Sequence, residues 1–305
     1  MAERQGVARL LKQMSTGDWL GAAIDSSKVG VEPERWITPN IEVHPSSAGS
    51  ACPRDIQLGM LGHKTEIKGL NRRRMDNGTD AHSRWSRELS EKGLLVSAGV
   101  RLKVPGEWSG EYDLLCKNPK SGETHLGEIK TINSNGYSSL PSQDPDPVRM
   151  AYAMCKAKMA YTYQLCQYYV MFKDRIEGGL SRDCFFLFEN TDTQAFKIIW
   201  VRFDDKMMEA AFKNSDAARK ATLEGRLIEP PFKRRSMPCS RCYRELVCYR
   251  LQDGERAVVD RVDSALTAVA AGGIEWKASN ESREALYQAG VTPEESTDDD
   301  DIYFN

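Results

Sequence analysis

Asp113 precedes the tripeptide Glu128-Ile129-Lys130 by fifteen residues, and both lie in runs that read as β-strands. Positions i and i+2 of a strand share a face, so Glu128 and Lys130 project together while the Ile129 side chain points away. If the two strands are neighbours, Asp113 joins them. Two carboxylates converging with an ammonium at a sheet edge suit a hard divalent cation, magnesium or manganese. Such a cation lowers the pKa of a bound water and neutralises charge building on a phosphodiester. Lys130 would orient that water or stabilise the developing charge, and the backbone carbonyl of Ile129 is a further ligand. In isolation Glu-x-Lys on a strand is more often a solvated face, and it is the surrounding residues that shift the balance. His82 stands one helical turn after Gly78, where a second backbone or a nucleic-acid strand could approach closely. Gln164 and Tyr168 are one turn apart on a later helix and share a face, so their polar ends could bond DNA phosphate or the carboxylates.

A second group is Cys239-x2-Cys242-x5-Cys248, with Cys52 far upstream as the fourth thiol. A Cys-x2-Cys pair can be half of a zinc site, but no second Cys or His pair follows it. Three close thiolates and one remote one fit a cubane iron-sulfur cluster better. Such a cluster would join the start and end of the domain. Cys116, Cys155, Cys166 and Cys184 fall within apolar runs and read as core.

The elements that must position these groups follow from periodicity and turn chemistry. A helix start is expected at Pro45 to Arg54, capped by serine and running through Ile56, Leu58 and Met60. A helix over about Met75 to Lys92 follows, then an antiparallel meander of Leu94 to Val104, Glu111 to Leu115 and Thr124 to Thr131. The polar, proline-rich Asn133 to Pro147 reads as a mobile gate. Val148 to Lys173 reads as a long helix, Cys184 to Phe188 and Phe196 to Phe203 as strands, and a helix begins near Asp204. Residues 251 to 287 look helical. Helices on a central mixed sheet give an α/β fold.

The chain has 305 residues, 40% hydrophobic and 28% charged, enough for a substantial core and against disorder throughout. The net charge of -2 hides an asymmetry, because Glu294, Glu295, Asp298, Asp299, Asp300 and Asp301 sit in a basic-free tail. The remainder is mildly basic, with patches at Lys64, Lys68, Arg72, Arg73, Arg74 and at Lys233, Arg234, Arg235, Arg241, Arg244 that suit a polyanion. The N-terminus has no secretory signal, so a reducing cytoplasm is expected, in which eight cysteines do not form a disulfide framework.

Ser46-Ser47 through Cys52-Pro53-Arg54, Gly78, His82, Asp113, Glu128-Ile129-Lys130, Gln164-x3-Tyr168, Cys239, Cys242 and Cys248, in that order, resemble the RecB-like branch of the PD-(D/E)XK nuclease superfamily. Within it the set is similar to the CRISPR-associated iron-sulfur exonucleases and their phage-encoded relatives. The resemblance covers roughly residues 44 to 250, leaving 1–43 as an extension of unassigned role and 251–305 as a helical extension with a disordered acidic tail. It implies a restriction-endonuclease-like core closed by a four-iron four-sulfur cluster on Cys52, Cys239, Cys242 and Cys248. It further implies a magnesium- or manganese-dependent DNA exonuclease acting on single-stranded ends in the 5' to 3' direction, in recombination, repair or phage DNA processing. By the same resemblance His82, Asp113, Glu128 and the Ile129 carbonyl bind metal, Lys130 is catalytic, and Gln164 and Tyr168 support the site. A phage-encoded member would work in the host cytoplasm. The tail, ending Asp301-Ile302-Tyr303-Phe304-Asn305, is similar to the acidic tip of bacterial single-stranded-DNA-binding proteins, which implies docking on a replication or recombination protein. The alternatives are a CRISPR spacer-acquisition nuclease and a non-catalytic iron-sulfur or zinc DNA-binding adaptor of a recombination complex.

Overall fold

A computed structural model describes residues 35–287, apart from 48, 66–68, 105–106 and 237–238. The acidic tail and most of the N-terminal extension therefore lie outside the described residues. Short β1 (Arg35–Trp36) leads into a 3-10 turn at Pro45–Ser47, and α1 spans Pro53–Met60. The serine-capped start expected from the sequence is replaced by this turn. Cys52 is the N-cap of α1 without a side-chain bond, and Pro53 sits at the first helical turn, where its missing N–H has no partner to lose. Strand β2 (His63–Lys64) pairs with β1, and Val43 bridges to Trp108, so residues 35–43 pack onto the body.

Helix α2 runs over Gly69–Glu91, earlier than its apolar spacing alone suggests. The meander is as expected: β3 (Leu95–Val104), β4 (Trp108–Lys117) and β5 (Thr124–Ile132) are successive antiparallel neighbours. A short α3 (Ser134–Ser138) and long α4 (Pro147–Phe172) then carry the chain over the sheet to β6 (Asp183–Asn190), which lies parallel to β5. Antiparallel β7 (Phe196–Arg202) completes a five-stranded mixed sheet in the order β3-β4-β5-β6-β7. Flanked on both sides, β6 reads as the almost unbroken apolar run CFFLF. After it come α5 (Asp205–Leu223), a 3-10 turn at Cys239–Arg241, α6 (Glu245–Gln252) and α7 (Arg256–Tyr287).

The residue alternation of the strands divides the core in two. On one face Tyr112, Leu126, Phe186, Phe188, Ile199 and Val201 meet Met154 and Leu165 of α4 and Met207 of α5. On the other, Leu114, Ile129, Phe185 and Leu187 meet Ala81 and Trp85 of α2. The buried carboxylate of Glu189 anchors α2, accepting from Trp85 Nε1 at 2.6 Å and pairing with Arg84. A third cluster, Leu58, Leu61, Val247, Val258, Val262 and Leu266, closes α6 and α7 against α1.

Two local features differ from simple expectation. Helix α4 breaks at Lys158 (φ -144°, ψ 63°), where the turn around Gly49 presses on it so tightly that a Cβ at Gly49 would stand 2.3 Å from Ala160. The 133–147 segment, read as a mobile gate, touches the body in this conformation. Leu140 is buried, and the Gln143 carboxamide accepts from the Trp200 N–H at 3.1 Å, pairing with the open edge of β7. Gly127 is required by packing, since a Cβ there would lie 2.2 Å from the Phe185 ring. Gly127→Ala is expected to destabilise the protein by about 1–3 kcal/mol through overpacking. Denaturant unfolding would show this as a lowered midpoint at unchanged slope.

Candidate active site and cysteine centre

Strands β4 and β5 stay in register from Lys117 opposite Thr124 to Leu114 opposite Gly127, and their pairing ends there. Asp113 and Glu128 would form the next pair. Instead the Ile129 N–H, which faces β4, donates to Asp113 Oδ2 at 2.8 Å, so a carboxylate replaces the missing backbone partner. β5 continues unbroken along β6 through Ile132, which keeps Glu128 and Lys130 fixed while the cleft opens on their other side. The predicted trio thus comes together where the two strands part. Lys130 Nζ lies 2.9 Å from Glu128 Oε1, and both residues are buried.

The remaining predicted residues arrive from the helices. His82 of α2 places Nδ1 3.4 Å from Asp113 Oδ1 and touches the Ile129 backbone. Gln164 and Tyr168 of α4 are both buried, the phenol being bonded to Gln164 and to the Glu111 backbone and lying close to Glu128 and Asp113. Gly110 lets that ring in, because a Cβ there would stand 2.8 Å from Tyr168 Cε1 and 3.0 Å from Pro45. Sequence reasoning missed Tyr161, whose ring lies 5.1 Å under the Lys130 ammonium. Its spacing three residues before Gln164 and seven before Tyr168 puts it on the same helical face and was available as a signal.

The electrostatics are those of crowded, dry acids. Burial, and then its neighbour Asp113, push Glu128 up to about 7, against the pull of Lys130. Burial raises Asp113 to about 6, opposed by Lys130 and by the Ile129 N–H. Lys130 is raised, the two carboxylates overcoming the effect of burial. Burial lowers His82, leaving a neutral imidazole at pH 7, the form that ligates metal. Glu128 Oε2 is buried without a hydrogen-bond partner. Among the described residues no three His, Cys, Asp or Glu side chains are closed up to metal-ligand distances. Yet an orphaned carboxylate oxygen, two acids sharing one lysine, and a neutral histidine form a donor set that fits a hard divalent cation.

The four predicted cysteines, Cys52 before α1, Cys239 and Cys242 at the second 3-10 turn, and Cys248 in α6, line one cavity together with Asp55, Pro230, Phe232 and Arg244. Burial raises the thiols of Cys52, Cys242 and Cys248. Asp55 accepts from Cys242 Sγ at 3.4 Å and pairs with Arg244 Nη1 at 3.1 Å. The other four cysteines lie apart, Cys166 and Cys184 fully buried and Cys116 and Cys155 packed against the core. Of the basic patches, Arg73 and Arg74 are exposed on α2, and Lys233, Arg234 and Arg235 are exposed beside the cysteines. The side chains of Lys68, Arg72 and Arg241 lie outside the described residues. Among the described residues no helix is long and apolar enough to cross a membrane.

No protein-family model and no curated protein sequence matches the chain. Solved structures that resemble it include that of SSO0001, at 15% identity over 70% of this chain and 88% of that one, with a TM-score of 0.39. Another is an alkaline exonuclease, LHK-Exo, from Laribacter hongkongensis, at 16% identity over 60% of this chain and 90% of that one, with a TM-score of 0.37. Likenesses this distant carry no functional argument.

Proposed function

We propose that the protein is a magnesium- or manganese-dependent deoxyribonuclease that trims single-stranded DNA ends, in the 5' to 3' direction, during recombination, repair or phage DNA processing. The observation that carries this reading is the meeting of Asp113, Glu128 and Lys130 at the parting of β4 and β5, with one buried Glu128 oxygen left without a partner. Asp113, Glu128, His82 and the Ile129 carbonyl would hold the cation. When bound, it supplies an activated water and offsets charge on the scissile phosphate. Lys130, steered by the Tyr161 ring below it and by Glu128 beside it, holds a fixed positive charge against the phosphate oxygens. Tyr168 and Gln164 brace the carboxylates from α4, and burial keeps bulk water from screening any of these charges.

On the same reading Cys52, Cys239, Cys242 and Cys248 hold a four-iron four-sulfur cluster that staples α1 to the 3-10 turn and α6. The exposed arginines and lysines supply phosphate contacts that weaken with salt. Incubation with single strands labelled at one end or the other tests the function. Release of the 5' label ahead of the 3' label is expected, and both labels left on intact strands with either cation would reject it.

The raised acids also give a pH dependence. A carboxylate whose folded pKa exceeds its unfolded value favours folding at low pH, and that contribution is lost as pH rises through the folded value. For Asp113 and Glu128 the loss runs from about pH 4 to pH 7, so the chelated protein should become less stable across that window. A cation must displace the same protons. Its affinity should fall roughly tenfold per pH unit for each proton displaced, below the upper of the two values. Manganese calorimetry at pH 6 and pH 8, with proton release measured in two buffers, checks this.

A further inference from the structure

Arg54 is 4% exposed at the first turn of α1, beside Cys52. Its Nη1 donates to the Ile228 carbonyl at 2.8 Å, whereas its Nε is buried with no hydrogen-bond partner. Among the described residues no carboxylate pairs with it, since the adjacent Asp55 is engaged by Arg244. A guanidinium stays charged at any physiological pH, and burying one unpaired costs several kcal/mol. The packing around it is nonetheless firm. Gln57, one turn on, donates to the Arg226 carbonyl and accepts from the Ile228 N–H, both at 2.7 Å, fixing the strap that Arg54 also grips.

The cysteines can supply the missing negative charge. The guanidinium lies in hydrogen-bonding contact with the Cys248 side chain. Four neutral thiols give Arg54 no counter-ion. Four thiolates around either a zinc ion or a four-iron four-sulfur core leave a net charge of about -2. We infer that Arg54 is the buried counter-ion of a dianionic metal centre on Cys52, Cys239, Cys242 and Cys248, donating to its sulfurs and setting how tightly the metal is held. The inference rests on the reading of those cysteines as a metal centre. It holds equally for iron-sulfur and for zinc, because the compensated charge is the same.

The consequence is a reversal of sign that a purely structural arginine would not show. In metal-loaded protein purified without oxygen, Arg54→Met should lower the melting temperature and speed metal transfer to a chelator by roughly tenfold, the factor expected for loss of one charged hydrogen bond. In the same full chain stripped of metal under reducing conditions, Arg54→Met should melt no lower than wild type, because an uncompensated charge has been removed. Arg54→Lys, which keeps the charge, should restore most of the retention. Equal destabilisation of loaded and stripped forms, or unchanged metal transfer, would overturn the role given to Arg54. If wild type neither carries nor takes up iron or zinc, the cysteine reading itself fails. Should Arg54→Met not fold, Arg54→Gln is read by the same criteria.

Discussion

Lys130→Ala is expected to reduce the cleavage rate by two to three orders of magnitude, about the loss seen when one fixed charge-stabilising donor is taken from an active site. Binding of a single strand should change little, because Lys130 is one buried charge whereas Arg73, Arg74, Lys233, Arg234 and Arg235 are exposed. Removing the ammonium also strands the Glu128 carboxylate 2.9 Å away, in a site already crowded by Asp113. The variant should therefore lose about 3–5 kcal/mol of stability in chelator, as when one partner of a buried ion pair is removed. Added manganese should recover part of this loss by replacing the missing positive charge. Glu128→Gln should be as inactive as Lys130→Ala, yet gain nothing in stability from manganese. Thermal melts with and without the ion separate the two variants, and single-turnover cleavage measures both rates.

The second large effect concerns the staple. Cys52 and Cys239 are 187 residues apart, so a metal centre joining them, as proposed above, would restrict most of the folded body in the unfolded state. On the chain-entropy relation for a cross-link, a loop of that length contributes about 5 kcal/mol. If the four cysteines hold the proposed cluster, Cys248→Ser should remove that contribution together with the iron. Wild-type protein prepared without oxygen should be brown, and the variant should be colourless and unfold at a markedly lower denaturant concentration. The damage should centre on the junction of α1, α6 and α7, where Leu58, Val247 and Val262 share a core. Faster amide exchange there than in β5 and β6 would show it.

Much of the site was legible because strand chemistry is periodic. The two-residue repeat fixed Glu128 and Lys130 on one face, and the turns on either side of β4 fixed the antiparallel neighbours. The helical period put Gln164 and Tyr168 on one face in the same way. Long-range and negative features were not legible. That β4 and β5 separate at Asp113 depends on a carboxylate taking the Ile129 N–H, which no local pattern encodes. The break of α4 at Lys158 lies beside a close approach of Gly49, more than a hundred residues upstream, to Ala160. Arg54 enters the sequence reading only as part of the helix start and of Cys52-Pro53-Arg54, and its burial without a carboxylate partner is visible only in the structure. The segment from Asn133 to Pro147 has loop composition but is held by Gln143 against β7, a contact made by a single side chain.

The central claim is that Asp113, Glu128 and Lys130 hydrolyse DNA with the help of a divalent cation. The most direct measurement is a time course on one end-labelled single strand with wild-type protein in manganese, then in excess chelator, then in manganese restored. Progressive shortening, arrest and resumption are expected. A strand left intact in manganese, or shortening that continues in chelator, would contradict it.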